Sequence, residues 1–258
     1  ILGFIEVYLD ARGVKGEFEG LVSYVNKEET ALMKSLARNA QYFEDKAPWD
    51  DKYKKKWSEV PVANAIDVVM GVGGCGPVSP AGINLPNAQD IRETYGSKSV
   101  SLYNIISARR AVVYPEFLKE FIYYEEDRKL IEEYRKFYRD AHIALHEIVG
   151  HGSGKVSDKL KEDPSVYLKE YYSTLEEARA DLVAMWNIFD DKLIEIGLVP
   201  DKICGEALYK SEVMSDLTQL VTVKGDKIEE DHMRATHLIV SYLRDKTNAI
   251  EVVQSNGK

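Results

Sequence analysis

Cysteine is scarce in this chain: Cys75 and Cys204 are the only two in 258 residues. Two cysteines cannot build a disulfide framework, and their separation offers no C-x-x-C spacing. Such usage suits a reducing compartment, so a cytoplasmic location is expected. Long apolar runs are also lacking. Nothing approaches the ~20 residues needed to span a bilayer, so no membrane association is expected. Basic residues are outnumbered by acidic ones, giving a net charge of -9. That balance opposes nucleic-acid backbones, which demand positive grooves, and suits a cationic ligand better. The glycine-rich run Gly71-Val72-Gly73-Gly74-Cys75-Gly76-Pro77 lacks what a phosphate loop needs. No Gly-Lys-Ser/Thr follows it, no G-x-G-x-x-G opens a helix, and Pro77 and Pro80 prevent immediate helix formation, which leaves nucleotide binding with little support. Absent too are an initiating methionine and a basic segment followed by an apolar one after Ile1. At the other end, Ala249 to Gln254 reads as a strand and Asn256-Gly257 as a hairpin turn without its returning strand. Both ends lead us to expect a piece of a longer protein.

What is present is enough for a sizeable core. Gly3 to Asp10 alternates as a strand, and Gly20 to Asn26 reads as its hairpin partner across a turn near Gly13. Apolar residues then recur at helical spacing from Lys27 to about Asp45. Ala65 to Met70 is a further strand, and Ala81 to Asn87 is extended and punctuated by proline. From Asp90 onward the pattern turns helical. One long aromatic-rich pattern runs from Tyr114 to Lys155, with Tyr123, Tyr124, Tyr134 and Tyr138 read as packing residues. Three more helices are predicted near 174–197, 201–223 and 228–246. The expectation is an α+β fold: a sheet-rich part over 1–90, a helical part over 91–248, and the start of a truncated hairpin over 249–258. A cleft should separate sheet and helices.

The chain is organised around Leu145-His146-Glu147-Ile148-Val149-Gly150-His151-Gly152. In H-E-x-x-H, two histidines one helical turn apart bind zinc and the glutamate acts as general base. One residue has been added here. At about 100° per residue, His146 and His151 would point about 140° apart on a regular helix. A π-bulge would swing them together, and Gly150 is where such a distortion costs least. The alternative is a buried helix end whose histidines are merely hydrogen-bonded, stopped by Gly152 and Gly154.

Catalytic zinc normally takes three protein ligands plus water. Glu177 and Asp181, in Ser173-Thr174-Leu175-Glu176-Glu177-Ala178-Arg179-Ala180-Asp181, share a helical face with Glu176 beside them. If Glu177 is the third ligand, Glu176 and Asp181 are placed to accept hydrogen bonds from the outer nitrogens of the two imidazoles. Against this, Thr174-x-x-Glu177 and Ser173-x-x-Glu176 both fit a helix capping box.

His146 to Lys155 together with Glu176-Glu177-Ala178-Arg179-Ala180-Asp181 closely resembles the paired signatures H-E-x-x-G-H and E-E-x-R-A-D/E of the dipeptidyl peptidase III family. Gly3 to Tyr8, Gly16 to Gly20, Pro80 to Asn87 and Glu230 to Arg234 are similar to other landmarks of that family, in the same order, so the resemblance covers nearly the whole chain. It implies His146, His151 and Glu177 as ligands of one zinc ion and Glu147 as general base. Glu6, Asn84 and Asn87 would hold the amino terminus of a peptide substrate. Tyr8 and His232 would stabilise the tetrahedral intermediate, and the strand at Gly82-Ile83-Asn84 would pair with the substrate backbone. Taken alone, His232 reads as well as a helix-start or surface histidine, and His142 and His237 match no role. The implied activity is release of dipeptides from peptide amino termini. Rival readings are another peptidase or amidase specificity, or a binding module without turnover. The implied whole is a larger two-lobed peptidase of which this chain is the catalytic lobe. Its N-terminal lobe, absent from this sequence, would be a partner, and the isolated piece could be weakly active or inactive.

Overall fold

The alternating residues of Phe18–Asn26 form a strand (β2) whose neighbours are fixed by register. A computed structural model of the chain describes residues 2–4, 14, 16–73, 82–85, 98–221, 223, 227–228 and 230–251. Leu2–Phe4 (β1) pairs antiparallel with β2 as predicted, but opposite Phe18 to Gly20 rather than Gly20 to Asn26; residues 5–10 of the predicted strand lie outside the described residues. On its other side β2 pairs antiparallel with Val62–Gly73 (β3), with a bulge between Val22 and Ser23. Gly82–Leu85 (β4) and Lys98–Leu102 (β5) complete a five-stranded sheet in the order β1-β2-β3-β5-β4. The contact of β3 with β5 is parallel and the rest are antiparallel, so the sheet is mixed. β4 is therefore an edge among the described residues. β5 lies beyond residue 90, inside the stretch read from sequence as helical. Five residues around a single alternating Ser-Val-Ser are too few for a period to declare itself.

Several helices are shorter than their apolar patterns. Lys27–Arg38 (α1) and Ala40–Lys46 (α2) divide at Asn39, whose side-chain amide donates to the Ser35 carbonyl at 2.8 Å. The long pattern before the histidines divides into Tyr103–Phe121 (α3), which carries Pro115, and Glu125–Ala144 (α4). The turn between them exposes Tyr123 and Tyr124, contrary to their reading as packing residues, whereas Tyr138 is wholly buried. After Pro164–Leu168 (α5) come Tyr172–Asn187 (α6) and Asp191–Glu195 (α7), the latter capped by Asp190. Ile203–Val221 (α8) and Asp231–Lys246 (α9) follow. Of the predicted terminal hairpin, residues 252–258 lie outside the described residues. No helix among the described residues is long and apolar enough to cross a membrane.

One core unites the helices with α1, α2 and β3 through Phe43, Ala65, Ile131, Tyr138, Leu193 and Leu208. A smaller one, of Leu21, Ile66, Ile83 and Leu102, lies on the sheet. The main core also holds Leu145, Ile148 and Val149, all at most 1% exposed, on a π-helical turn, Leu145–Gly150, that continues α4. Burial of such side chains is worth ~1.5–3 kcal/mol each, which anchors a turn that departs from α geometry. α6 crosses this turn at Gly150. A Cβ built there would lie 2.8 Å from the Cα and carbonyl oxygen of Ala180 and 3.0 Å from its Cβ. Close approach to backbone, rather than freedom of φ, is why glycine stands at this position.

Two expectations follow. Gly150→Ala should cost ~1–3 kcal/mol through overpacking against backbone that cannot move aside, measured by denaturant unfolding. On α8, Glu212 pairs with Arg139 at 3.1 Å. One turn on, burial, with Glu212 and Asp181 adding to it, pushes the Asp216 carboxyl up to about 8. The folded chain then keeps a proton that the unfolded chain releases near pH ~4, so stability from this group falls as pH rises from ~4 toward 8. Asp216→Asn should raise the melting temperature at pH ~9 and change it least near pH ~4.

Candidate metal centre

The last turn of the α4 rod brings the two histidines together. In the π turn, the His151 N–H donates to the His146 carbonyl at 2.9 Å, five residues back. This wider ring turns His151 to the side His146 already faces. Their ring centroids lie 4.7 Å apart with planes at 87°. The expected bulge is thus present, and the histidines do not close an ordinary helix end.

The third group comes from α6. That helix begins at Tyr172, with no side-chain cap at Tyr171, so Ser173 and Thr174 lie inside it and the capping-box alternative falls. Thr174 instead donates through its hydroxyl to Asp231 at the start of α9, at 2.8 Å. Glu177 is left to face the histidines. Its Oε2 is 3.3 Å from His146 Nε2, 3.5 Å from His151 Nε2 and 3.3 Å from His232 Nε2. One ligand atom from each of His146, His151 and Glu177 falls within 4.8 Å of the others. Glu177 Oε2 is buried and meets no hydrogen-bond geometry with any of them. A buried carboxylate oxygen without a hydrogen bond is costly. Two imidazole nitrogens and one such oxygen, converging from two helices, fit a small divalent cation that takes nitrogen and oxygen donors.

The outer nitrogens are held as well. His146 Nδ1 lies 2.7 Å from Asp181 Oδ1, and His151 Nδ1 lies 3.1 Å from Glu176 Oε1. Carboxylates so placed fix ring orientation and direct the inner nitrogens toward Glu177. Charge follows geometry. Burial opposes ionisation of Glu177, but His146, His151 and His232 outweigh it and hold its carboxyl well below the usual range. Burial likewise opposes protonation of His146, and Asp181 and Glu177 overcome it, raising its pKa well above that of free imidazole. Without a metal the site concentrates protons between nitrogen and oxygen. A cation would replace those protons, so its binding should release them.

Glu147 is buried at the mouth of this cluster, against β4. A Cβ at Gly82 would meet its Oε1 at 2.4 Å, so the carboxylate lies directly on the edge strand. Burial pushes the Glu147 carboxyl up, against the pull of His146 and His151. Ser99 of β5 donates its hydroxyl to the Glu147 carbonyl at 3.1 Å. His232, at the first turn of α9, is oriented by Glu230, whose Oε1 lies 2.8 Å from Nδ1 and whose Oε2 accepts the Met233 N–H. Helix capping and approach to Glu177 are therefore combined at one place.

Of the residues singled out from sequence, Glu147, His146, His151, Glu177, Glu176, Asp181, His232 and Gly82 come together here. Asn84 has its backbone on β4, with its side chain outside the described set, and Glu6, Tyr8 and Asn87 lie outside the described residues. His142 is buried one turn before His146, with Nε2 3.9 Å from Asp181 and burial lowering its pKa. His237 is exposed. Sequence reasoning passed over Arg179, which sits within the second motif. Its guanidinium donates to Glu176 at 2.6 and 3.0 Å and to the carbonyl and hydroxyl of Ser153 at 3.1 Å. A buried carboxylate between two helices needs such a partner, and that requirement was the available signal.

Comparison with known proteins agrees with the motifs. Residues 1–171 match the model of peptidase family M49, a span that takes in both histidines and Glu147. The dipeptidyl peptidase 3 of Dictyostelium discoideum is 35% identical, across 81% of this chain and 33% of that protein. The Homo sapiens dipeptidyl peptidase 3 is 38% identical, across 60% of this chain and 20% of that protein. The solved structure of DPP III from Caldithrix abyssi superposes with a TM-score of 0.74 at 26% identity, covering 95% of this chain and 46% of that one. The chain thus spans a third or less of these two curated relatives. Because the family model matches residues 1–171, through the first motif, and 95% of the chain superposes on a solved relative, this chain belongs to peptidase family M49.

Proposed function

We propose that this chain is the metal-carrying part of a zinc-dependent peptidase that releases dipeptides from the amino terminus of peptides. One observation carries the reading. His146 Nε2, His151 Nε2 and Glu177 Oε2 converge on one point beside a buried glutamate, Glu147, that lies against an edge strand. His146, His151 and Glu177 would hold the ion, with Asp181 and Glu176 fixing the two rings. Zinc held there supplies Lewis-acid polarisation of the scissile carbonyl and lowers the pKa of water toward ~7.

The chain's own groups do the rest. The Glu147 carboxylate takes the proton of the attacking water and returns it to the leaving amine. His232 Nε2, aimed by Glu230, donates to the carbonyl oxygen as charge develops, with Tyr8 as its proposed companion. The edge of β4 that no described strand occupies would pair with an extended substrate, and Gly82 leaves room for the Glu147 carboxylate against that strand. Glu6, Asn84 and Asn87 are the proposed holders of the substrate ammonium. A paired peptide advances about 3.3 Å per residue, so the carbonyl two residues along would lie roughly 7 Å from that ammonium, which sets the product as a dipeptide. Because relatives of this family are much longer, full turnover is proposed for the intact two-lobed protein, with this chain as its catalytic lobe.

Dialysis against a chelator followed by zinc titration should give one ion per chain. His146→Ala should bind it far more weakly, and equal affinity in that variant and the parent would remove the ligand assignment. Glu147→Gln should keep the metal while turnover of the intact protein falls by ~10²–10⁴. Mass spectrometry of an unblocked tetrapeptide digest should find two dipeptides. Free single amino acids would point to an aminopeptidase instead, and full zinc occupancy without any cleavage by the intact protein would point to a binding module.

A further inference from the structure

Glu44, on α2, is 0% exposed and lies far in sequence from both metal motifs. A buried carboxylate is costly unless it is fully hydrogen-bonded. Its Oε1 accepts the Lys55 N–H at 3.1 Å, and its two oxygens share the Gly154 N–H at 3.1 and 3.0 Å. All of these donors are backbone groups, and one belongs to the segment that leaves the π turn.

That segment has little helical bonding of its own. Ser153 N–H still reaches the Val149 carbonyl at 2.9 Å, but Gly154 turns away at φ +75 and Lys155 N–H bonds to the Tyr53 carbonyl at 2.8 Å. Its position is therefore set from α2 and the residues just after it. A second route runs in parallel. Gln41 of α2 accepts the Trp57 N–H at 2.9 Å, and the Trp57 ring closes over Gly152, where a Cβ would lie 2.6 Å from it.

From Gly154 the chain of contacts leads straight to a metal ligand. Ser153, the preceding residue, presents its carbonyl and hydroxyl to Arg179 Nη1. Arg179 grips Glu176 through Nε and Nη2 and reaches the His151 carbonyl at 3.4 Å. Glu176 in turn holds His151 Nδ1 at 3.1 Å. Glu44 also adds, after Glu176, to the field that favours the Arg179 cation.

We infer that Glu44 is a positioning residue of the metal centre: by holding Gly154 it fixes the loop on which Arg179 and Glu176 orient His151. The inference rests on the metal-centre reading above. Glu44→Gln preserves shape but turns an amide N–H₂ toward one of the two backbone donors, so the loop should shift and Arg179 with it. Loss of an outer partner of a metal-bound histidine typically weakens metal binding by ~10–100-fold, and Glu44, which acts on that partner through Gly154, Ser153 and Arg179, should give the low end of that range, about tenfold.

The test uses the full chain and cobalt(II), whose visible spectrum reports ligand geometry, alongside zinc competition. Glu44→Gln should raise the metal dissociation constant about tenfold and shift the cobalt spectrum. Phe43→Leu, next to Glu44 in the core, should lower the melting temperature and leave both readouts unchanged. In a double-mutant cycle with Glu176→Gln, the combined loss of affinity should be smaller than the product of the single losses, because both act through one path. Parent-like affinity and spectrum in Glu44→Gln, or fully independent effects in the cycle, would overturn the proposal while leaving the metal centre intact. Should Glu44→Gln not fold, Glu44→Asp, which withdraws the charge by one methylene, carries the same expectations and the same refutation. A parent chain that binds no metal would instead refute the centre itself, and Glu44's role with it.

Discussion

The hydrogen bond from His151 N–H back to the His146 carbonyl, five residues rather than four, governs the rest of this molecule. An α-helical bond at that place would send the second imidazole about 140° away from the first around the helix axis. The wider turn is held by what surrounds it. Leu145, Ile148 and Val149 bury their side chains in the main core, and Ala180 of the crossing helix fills the space that a side chain at Gly150 would need. Apolar packing therefore stabilises the backbone geometry that the proposed metal centre requires.

Electrostatics then build outward in shells. Glu177 faces three imidazoles, Asp181 and Glu176 face the outer nitrogens of two of them, and Arg179 balances Glu176. Within this cluster each of these charges faces an opposite one, as the low dielectric of the interior demands. Glu177 Oε2 is ringed by three imidazole nitrogens at ion-pair distance, yet has hydrogen-bond geometry to none of them. That imbalance is what a cation would relieve, and it accounts for the arrangement better than a purely structural cluster does.

The sheet and the helices meet at one contact with chemical meaning. Gly82 of the edge strand lies against the Glu147 carboxylate, so a peptide added to that edge would run past the proposed general base. β4 is outermost in the strand order, and no described strand pairs with its far edge. A side chain at Gly82 would separate base from substrate.

By itself, the sequence determined the candidate ligand types, their grouping into two motifs, the need for a bulge if both histidines are to meet, and the α+β character, because these follow from residue identity and spacing along one element. It also carried the family, through motifs that lie close together in the chain. Tertiary structure decided between the capping box and the ligand face for Glu177, since both obey the same four-residue spacing and only the position of α6 against the π turn distinguishes them. It decided that β5 joins the sheet, because a strand of five residues is specified by its neighbours rather than by its own period. The same holds for Glu44 and the exposed Tyr123 and Tyr124. A carboxylate or an aromatic ring in a helical pattern has no fixed meaning until the fold supplies, or withholds, the groups it will touch.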